Sequence, residues 1–304
     1  MNNRKFKLRK LSTRFIYSPL SKFIKVWINL LYPILFHFKN KEFLYKKNLQ
    51  NNVIVSFTSI PSRIDKVHYV VKSLLLQSYR PDNIILWLSK EDFPDVDKLP
   101  KSLTSLLQTD FEIRWCENIK PHKKYYFAME ENPKAIVITV DDDGLYRKNL
   151  IKDLMNSYKR FPNAISCTRA HKMVFDEKMN LKSYNEWEYE SNYFNIPTKL
   201  LFATGVGGVL YPPGCLDQRA FDIKLIRELC LNADDIWLKV MGTLNNKSVV
   251  AIPSTKSKYV VGIINAEKIS LSKNNVLHSD NDFYIKKVFE KFNVSYKDFK
   301  ETNI

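Results

Sequence analysis

The sequence predicts an α/β fold, a central mixed and mostly parallel sheet flanked by helices, and three observations predict it. From Asn52 onward, short apolar runs rich in Val and Ile alternate with longer stretches whose apolar residues recur at helical spacing, which is how a parallel sheet with crossover helices reads. A chain of 304 residues with 45% hydrophobic and 13% aromatic content is long enough and apolar enough to bury a substantial core. No low-complexity stretch or internal repeat interrupts it, which excludes a disordered chain and a repeat array.

Taken in order, Val53 to Phe57 reads as the first strand, TSIPSRI (Thr58 to Ile64) as the loop that follows, and Asp65 to Gln77 as the first helix. Val67, Val70, Val71, Leu74 and Leu75 line one face of that helix. Ile84 to Leu88 and Phe111 to Trp115 are the next strands, Lys123 to Glu131 a helix, and Ile136 to Val140 a buried fourth strand. Asn149 to Phe161 reads as a helix and Ala164 to Thr168 as a strand, after which the alternation ends. The segment from His171 to about Leu200 is polar and aromatic without a clear period, as expected of a loop-rich, substrate-facing insertion. Helices near Phe221 to Leu229, Asp234 to Met241 and Phe283 to Phe292 complete a catalytic domain expected over residues 49–304.

The net charge of +16 is unevenly placed: residues 1 to 50 hold 12 Lys/Arg against one acid, Glu42, and the rest of the chain 36 bases against 31 acids. The basicity therefore belongs to an arm, and no nucleic-acid recognition motif accompanies it. Within that arm FIKVWINLLYPILFHF (Phe23 to Phe38) is apolar, but Lys25, Asn29, Pro33 and His37 interrupt the roughly 18 apolar residues a spanning helix needs, and no small-residue cleavage site follows. Residues 1–48 are expected to lie in an anionic membrane surface, on the cytoplasmic side of the cell membrane, with Trp27, Leu30, Leu31 and Leu35 inserted; a helical hairpin packed on the domain is the plainer alternative. The four cysteines, Cys116, Cys167, Cys215 and Cys230, have no metal-site spacing and read as reduced, buried residues.

Three segments carry candidate chemistry. In AIVITVDDDGLY a buried strand runs into Asp141, Asp142 and Asp143, where ligands of open α/β sheets bind. If the chain stays extended there, Asp141 and Asp143 point the same way, a hard oxygen site suited to Mg²⁺ or Mn²⁺; an Asp-rich turn is the plainer reading. TGVGGVLYPPG gathers Gly205, Gly207, Gly208 and Gly214, four of the seven glycines, either for close backbone approach to a ligand or for a tight turn between two strands. Asp234 and Asp235 in ADDIWLK open a helix, as caps or as carboxylates able to act as a base. Lys123 and Lys124, taken alone, read as surface residues.

These motifs resemble those of bacterial surface-polysaccharide glycosyltransferases of the GT-A fold, a Rossmann-like nucleotide-diphospho-sugar transferase fold, and the resemblance runs in order through TSIPSRI, QSYRP, ILWLS, HKKYYFAME, VDDDGLY, TGVGGVLYPPG and ADDIWLK. It implies a metal-dependent transfer of a sugar from a nucleotide-diphosphate donor to a glycan or lipid-linked acceptor hydroxyl. It further implies that Thr58 and Arg63 contact the nucleotide, that Lys123 or Lys124 faces the diphosphate, and that Asp141, Asp142, Gly207 and Gly208 line the donor site. Asp141 and Asp143 would hold Mn²⁺ or Mg²⁺ with His278 as a third ligand, and Asp235, or else Asp234, would be the catalytic base; Asp280 and Asp282 would be acceptor contacts or a helix cap, and His122 and His171 have weaker claims to a metal. A nucleotidyltransferase and a catalytically inactive membrane-associated binding protein are the competing readings.

Overall fold

The structure, a computed structural model, describes residues 52–191, 196–252, 259–264 and 280–300, together with Val26, Trp27 and Leu31. Val26, Trp27 and Leu31 are helical and exposed; the rest of the basic arm, and His278, lie outside the described residues. Among the described residues no helix is long and apolar enough to cross a membrane.

Strands β1 (Val53–Thr58), β2 (Asn83–Ser89), β3 (Phe111–Cys116) and β4 (Ile136–Thr139) fall where the apolar runs place them. Strands β5 (Gly144–Tyr146), β6 (Ile165–Cys167), β7 (Ala170–Lys172), β8 (Leu201–Ala203), β9 (Val209–Tyr211), β10 (Val249–Ala251) and β11 (Val260–Gly262) follow, each only three residues long. Seven of these strands form one sheet in the order β10-β6-β9-β4-β1-β2-β3. All its neighbours pair in parallel except β9, which runs antiparallel to both β4 and β6. The fold is the α/β one the sequence predicts, with a mixed and mostly parallel central sheet flanked by helices.

Period-two alternation sends the strand side chains into two cores. Val53, Val55 and Phe57 of β1, Ile84, Leu86 and Leu88 of β2, and Ile136 and Ile138 of β4 pack beneath helices α1 (Ile64–Leu75) and α3 (Leu150–Arg160). On the opposite face Ile54, Ile85, Trp87 and Val137 meet Ala128 of α2 (Tyr126–Glu131). Farther along that face Ile165, Cys167, Val209 and Tyr211 meet α4 (Ile223–Leu229), α5 (Asp234–Leu244) and α6 (Asp280–Phe292). Both faces are covered, which is why the central strands are continuously apolar rather than alternating. The four cysteines are buried and free.

The segment between Ala170 and Leu201 has more order than its polarity suggested. β7 pairs with β8 apart from the main sheet, and Lys172 bridges Glu188. Asp282 of α6 accepts bonds from Ser183 Oγ and the Tyr184 amide, both 2.7 Å, so it braces this insertion.

Candidate active site

Because β1 and β4 are parallel neighbours in register, Ser56 beside Thr139, their following loops emerge at the same edge of the sheet. β9 enters from that edge, Val209 opposite Thr139, which brings the glycine-rich segment to the same place. The topology alone thus joins TSIPSRI, the aspartate triplet and TGVGG.

In the triplet the three carboxylates separate by exposure. Asp142 is buried and accepts from Ser59 Oγ and Arg63 Nη1, both at 2.6 Å. Burial pushes its carboxyl up, and the Arg63 charge and the Ser59 bond work against that rise. Asp141 and Asp143 keep 29% and 30% of their side-chain surface exposed, the alternation expected of an extended segment. Arg63 Nη1 also lies 3.4 Å from Asp143 Oδ2, so one guanidinium bridges the buried acid and an open one. The Asp141 backbone is clamped by Tyr146, whose hydroxyl accepts from the Asp141 amide at 2.7 Å and donates to the Asp141 carbonyl at 3.0 Å.

Lys124 joins this cluster to the second. It ends the 3-10 turn Lys120–Lys124, anchored by His122, whose Nε2 lies 2.8 Å from the Cys230 carbonyl. Lys124 Nζ stands 2.7 Å from Asp234 Oδ2 and 3.4 Å from Asp141 Oδ1. Burial alone would lower the pKa of this ammonium, yet the charges of Asp234, Asp141 and Asp235 outweigh it and hold the group well above the ordinary lysine range.

The adjacent acids of α5 diverge. Neither caps the helix, since Ala233 holds the cap position and both acids lie in the first turn. Asp234 is buried on Lys124, and the Lys124 charge overcomes desolvation to hold its carboxyl below the usual range. Asp235 is half-buried and receives the Gly205 amide at 3.1 and 3.2 Å. Desolvation, then the charges of Asp234 and Asp141, push it up to about 7, against Lys124 and the Gly205 bond. A carboxylate near neutrality is matched to taking a proton from a hydroxyl.

Gly205 is the close-approach position of the glycine segment. A Cβ there would stand 2.8 Å from Lys124 Nζ, 3.3 Å from Asp235 Oδ1 and 3.5 Å from Asp141 Oδ1, so the three groups converge on one backbone atom. Gly207, at φ +94°, has a conformation L side chains rarely adopt, and a Cβ would meet Thr168 Oγ1 at 2.3 Å.

No protein family and no curated protein matches the chain. Among solved structures it is similar to the mannosyltransferase PcManGT from Pyrobaculum calidifontis in complex with GDP-Man and Mn²⁺, at 12% identity and a TM-score of 0.41, over 76% of this chain. The chain spans 65% of the length of that protein.

The other residues singled out in the sequence are distributed as follows. Lys123, one residue from Lys124, points away: it is buried with Nζ 3.3 Å from Asn118 Oδ1, and burial lowers its pKa. Neither lysine is a surface residue. Thr58 donates its hydroxyl to the Trp87 carbonyl at 2.7 Å, while Arg63 and Asp142 are bonded to each other. Gly208 lies against Leu150. His122 and His171 are buried and bonded, and burial lowers them to about 4 and about 3. Asp282 braces the insertion. Ser59, Tyr146 and the Lys124–Asp234 pair escaped sequence reading; Ser59 and Tyr146 lie inside the quoted motifs, whereas the pairing across 110 residues carried no sequence signal.

Proposed function

We propose that the chain is a metal-dependent glycosyltransferase that moves a sugar from a nucleotide-diphosphate donor to an acceptor hydroxyl. The observation that carries this reading is the convergence on Gly205 of an open carboxylate from the strand-end triplet, Asp141, and a near-neutral carboxylate from the helix start, Asp235, with Lys124 beside both. The donor set fits a divalent cation: Asp141 and Asp143 are hard oxygen donors with solvent-facing surface, and Asp142, turned inward, holds Arg63 in place behind them. Among the described residues no three His, Cys, Asp or Glu side chains are gathered as a metal site.

Mn²⁺ or Mg²⁺ bound there supplies Lewis-acid stabilisation of the charge that develops on a leaving diphosphate. Asp141 and Asp143 would hold that cation at the sheet edge, and the Lys124 ammonium adds positive charge to the same field. Asp235 takes the acceptor hydroxyl's proton as that oxygen attacks the anomeric carbon from the face opposite the diphosphate. Asp234, neutralised by Lys124, stays a structural anion. A screen of nucleotide sugars for Mn²⁺-dependent hydrolysis tests this: release of nucleoside diphosphate supports it, and release of pyrophosphate, or metal-independent turnover, counts against it.

We further propose that residues 1–48 hold the enzyme on the cytoplasmic face of a bacterial membrane, where a surface glycan or its lipid-linked precursor would be the acceptor. The support is the charge placement, 12 Lys/Arg against one acid in the first 50 residues beside an apolar aromatic stretch. Full-length protein is expected to bind anionic liposomes at low salt and a chain lacking residues 1–48 is not; equal partitioning of the two contradicts the proposal.

A further inference from the structure

We propose that Tyr189 and the Arg169–Glu190 pair form an acceptor subsite for a neutral sugar ring, an inference that rests on the glycosyltransferase reading. The position comes first. Thr204, next to Gly205, donates its amide to the Arg169 carbonyl at 3.1 Å, so Arg169 flanks the loop that holds Asp235. Arg169 is paired with Glu190, the neighbour of Tyr189 in the chain, which brings the Tyr189 ring to the same flank.

The surface there has the chemistry of a sugar site. Tyr189 is 37% exposed, and its ring lies 4.4 Å from the His171 ring and 5.8 Å from Tyr184. Tyr184 is in turn packed against Trp187 and Phe202 and tied by its amide to Asp282, so an exposed ring rests on a rigid aromatic base. An aromatic face attracts the polarised C–H bonds on the apolar side of a sugar ring, and a pre-ordered ring loses little entropy on binding. Beside it Arg169 Nε lies 3.2 Å from Glu190 Oε1, both side chains about one-third exposed. The pair carries no net charge yet offers donors and an acceptor together, which suits hydroxyl groups.

The backbone is shaped to present this pair. Glu190 sits at φ 49°, the left-handed region that non-glycine residues seldom occupy. Its amide donates to His171 Nδ1 at 3.0 Å, a bond that needs a neutral, accepting imidazole, and burial lowers His171 to about 3. The pair decides the ligand class: Arg169 is already matched by Glu190, so an anionic sugar meets no net positive charge there, whereas hydroxyl groups find a donor and an acceptor.

Saturation-transfer NMR on the full-length protein tests this with methyl glycosides of neutral hexoses, a methyl glucuronoside and glucose 1-phosphate as probes. Neutral glycosides are expected to bind through one face of the ring. Tyr189→Ala should weaken them about tenfold, and Tyr189→Phe should stay within about twofold of wild type. Circular dichroism checks that each variant is folded. Tighter binding of the methyl glucuronoside, loss of glucose 1-phosphate binding along with the neutral glycosides in Tyr189→Ala, or equal binding of the neutral glycosides by wild type and Tyr189→Ala overturns the proposal. Donor hydrolysis reads the parent hypothesis separately: an enzyme that hydrolyses its donor but binds none of the neutral glycosides overturns the subsite alone.

Discussion

The two acidic clusters look alike in sequence, a run of adjacent aspartates in each, and the fold treats them alike in one respect only. Each gives up one carboxylate to a cation: Asp142 to Arg63 at 2.6 Å and Asp234 to Lys124 at 2.7 Å. What remains differs. At the strand end Asp141 and Asp143 keep about the same exposure, each only 3.4 Å from a cation, Lys124 and Arg63, and these are the two acids proposed to share a metal ion. At the helix start a single acid remains, Asp235, held by a backbone amide and raised to about 7, which is what the proposed role as a base requires. Adjacent aspartates therefore need not share an environment, and the cation beside each run decides which one is buried.

The comparison breaks most visibly at Lys124. Lys124→Met leaves Asp234 buried without its partner and should cost about 3–5 kcal/mol in urea unfolding. Adding Asp234→Asn in the same chain should recover much of that loss, because the pair is the coupled unit. Losses that simply add would show that Lys124 and Asp234 act independently. Arg63→Leu should cost less, about 1–3 kcal/mol, since Asp142 can take up a proton and keep its Ser59 bond. As the support behind Asp143, Arg63 should also matter to the donor: nucleoside-diphosphate binding in Mn²⁺ is expected to weaken roughly 10- to 100-fold. Unchanged binding in a folded Arg63→Leu protein would detach the buried acid from the open ones.

The smallest effect is a pH dependence. Asp235 is raised above its unfolded value, so between about pH 4 and 7 the folded chain binds the proton more readily and stability falls as pH rises. His122 and His171, lowered by burial, give the opposite slope over much of that window. Comparing the metal-free wild type with Asp235→Asn cancels the histidines, and the variant should gain stability relative to wild type from pH 4 to 8. A constant difference would mean that Asp235 is not raised.

Much of the aspartate triplet's placement was legible because it is local. The strands before the triplet are continuous apolar runs, and an acid triplet after such a run lies at the sheet edge wherever the strand stands in the order. Alternation also separated Asp142 from its neighbours, although not its use as a partner for Arg63. The second half was harder to read. Its strands are three residues long, too short for periodicity, and β9 followed by PPG read equally as a turn. Lys123 and Lys124 are indistinguishable by composition; a 3-10 turn fixed by His122 on Cys230 aims one at Asn118 and the other at Asp234. Such long-range pairing leaves no trace in spacing.

The central claim is the division of labour between the clusters, and calorimetry of nucleoside diphosphates in Mn²⁺, run on Asp143→Asn and Asp235→Asn beside wild type with turnover measured on the same samples, tests it most directly. Asp143→Asn should weaken metal-dependent nucleotide binding itself. Asp235→Asn should bind the nucleotide nearly as wild type does and lose turnover by roughly a hundredfold or more. Equal loss of nucleotide binding in both folded variants, or normal turnover by Asp235→Asn, would contradict the account.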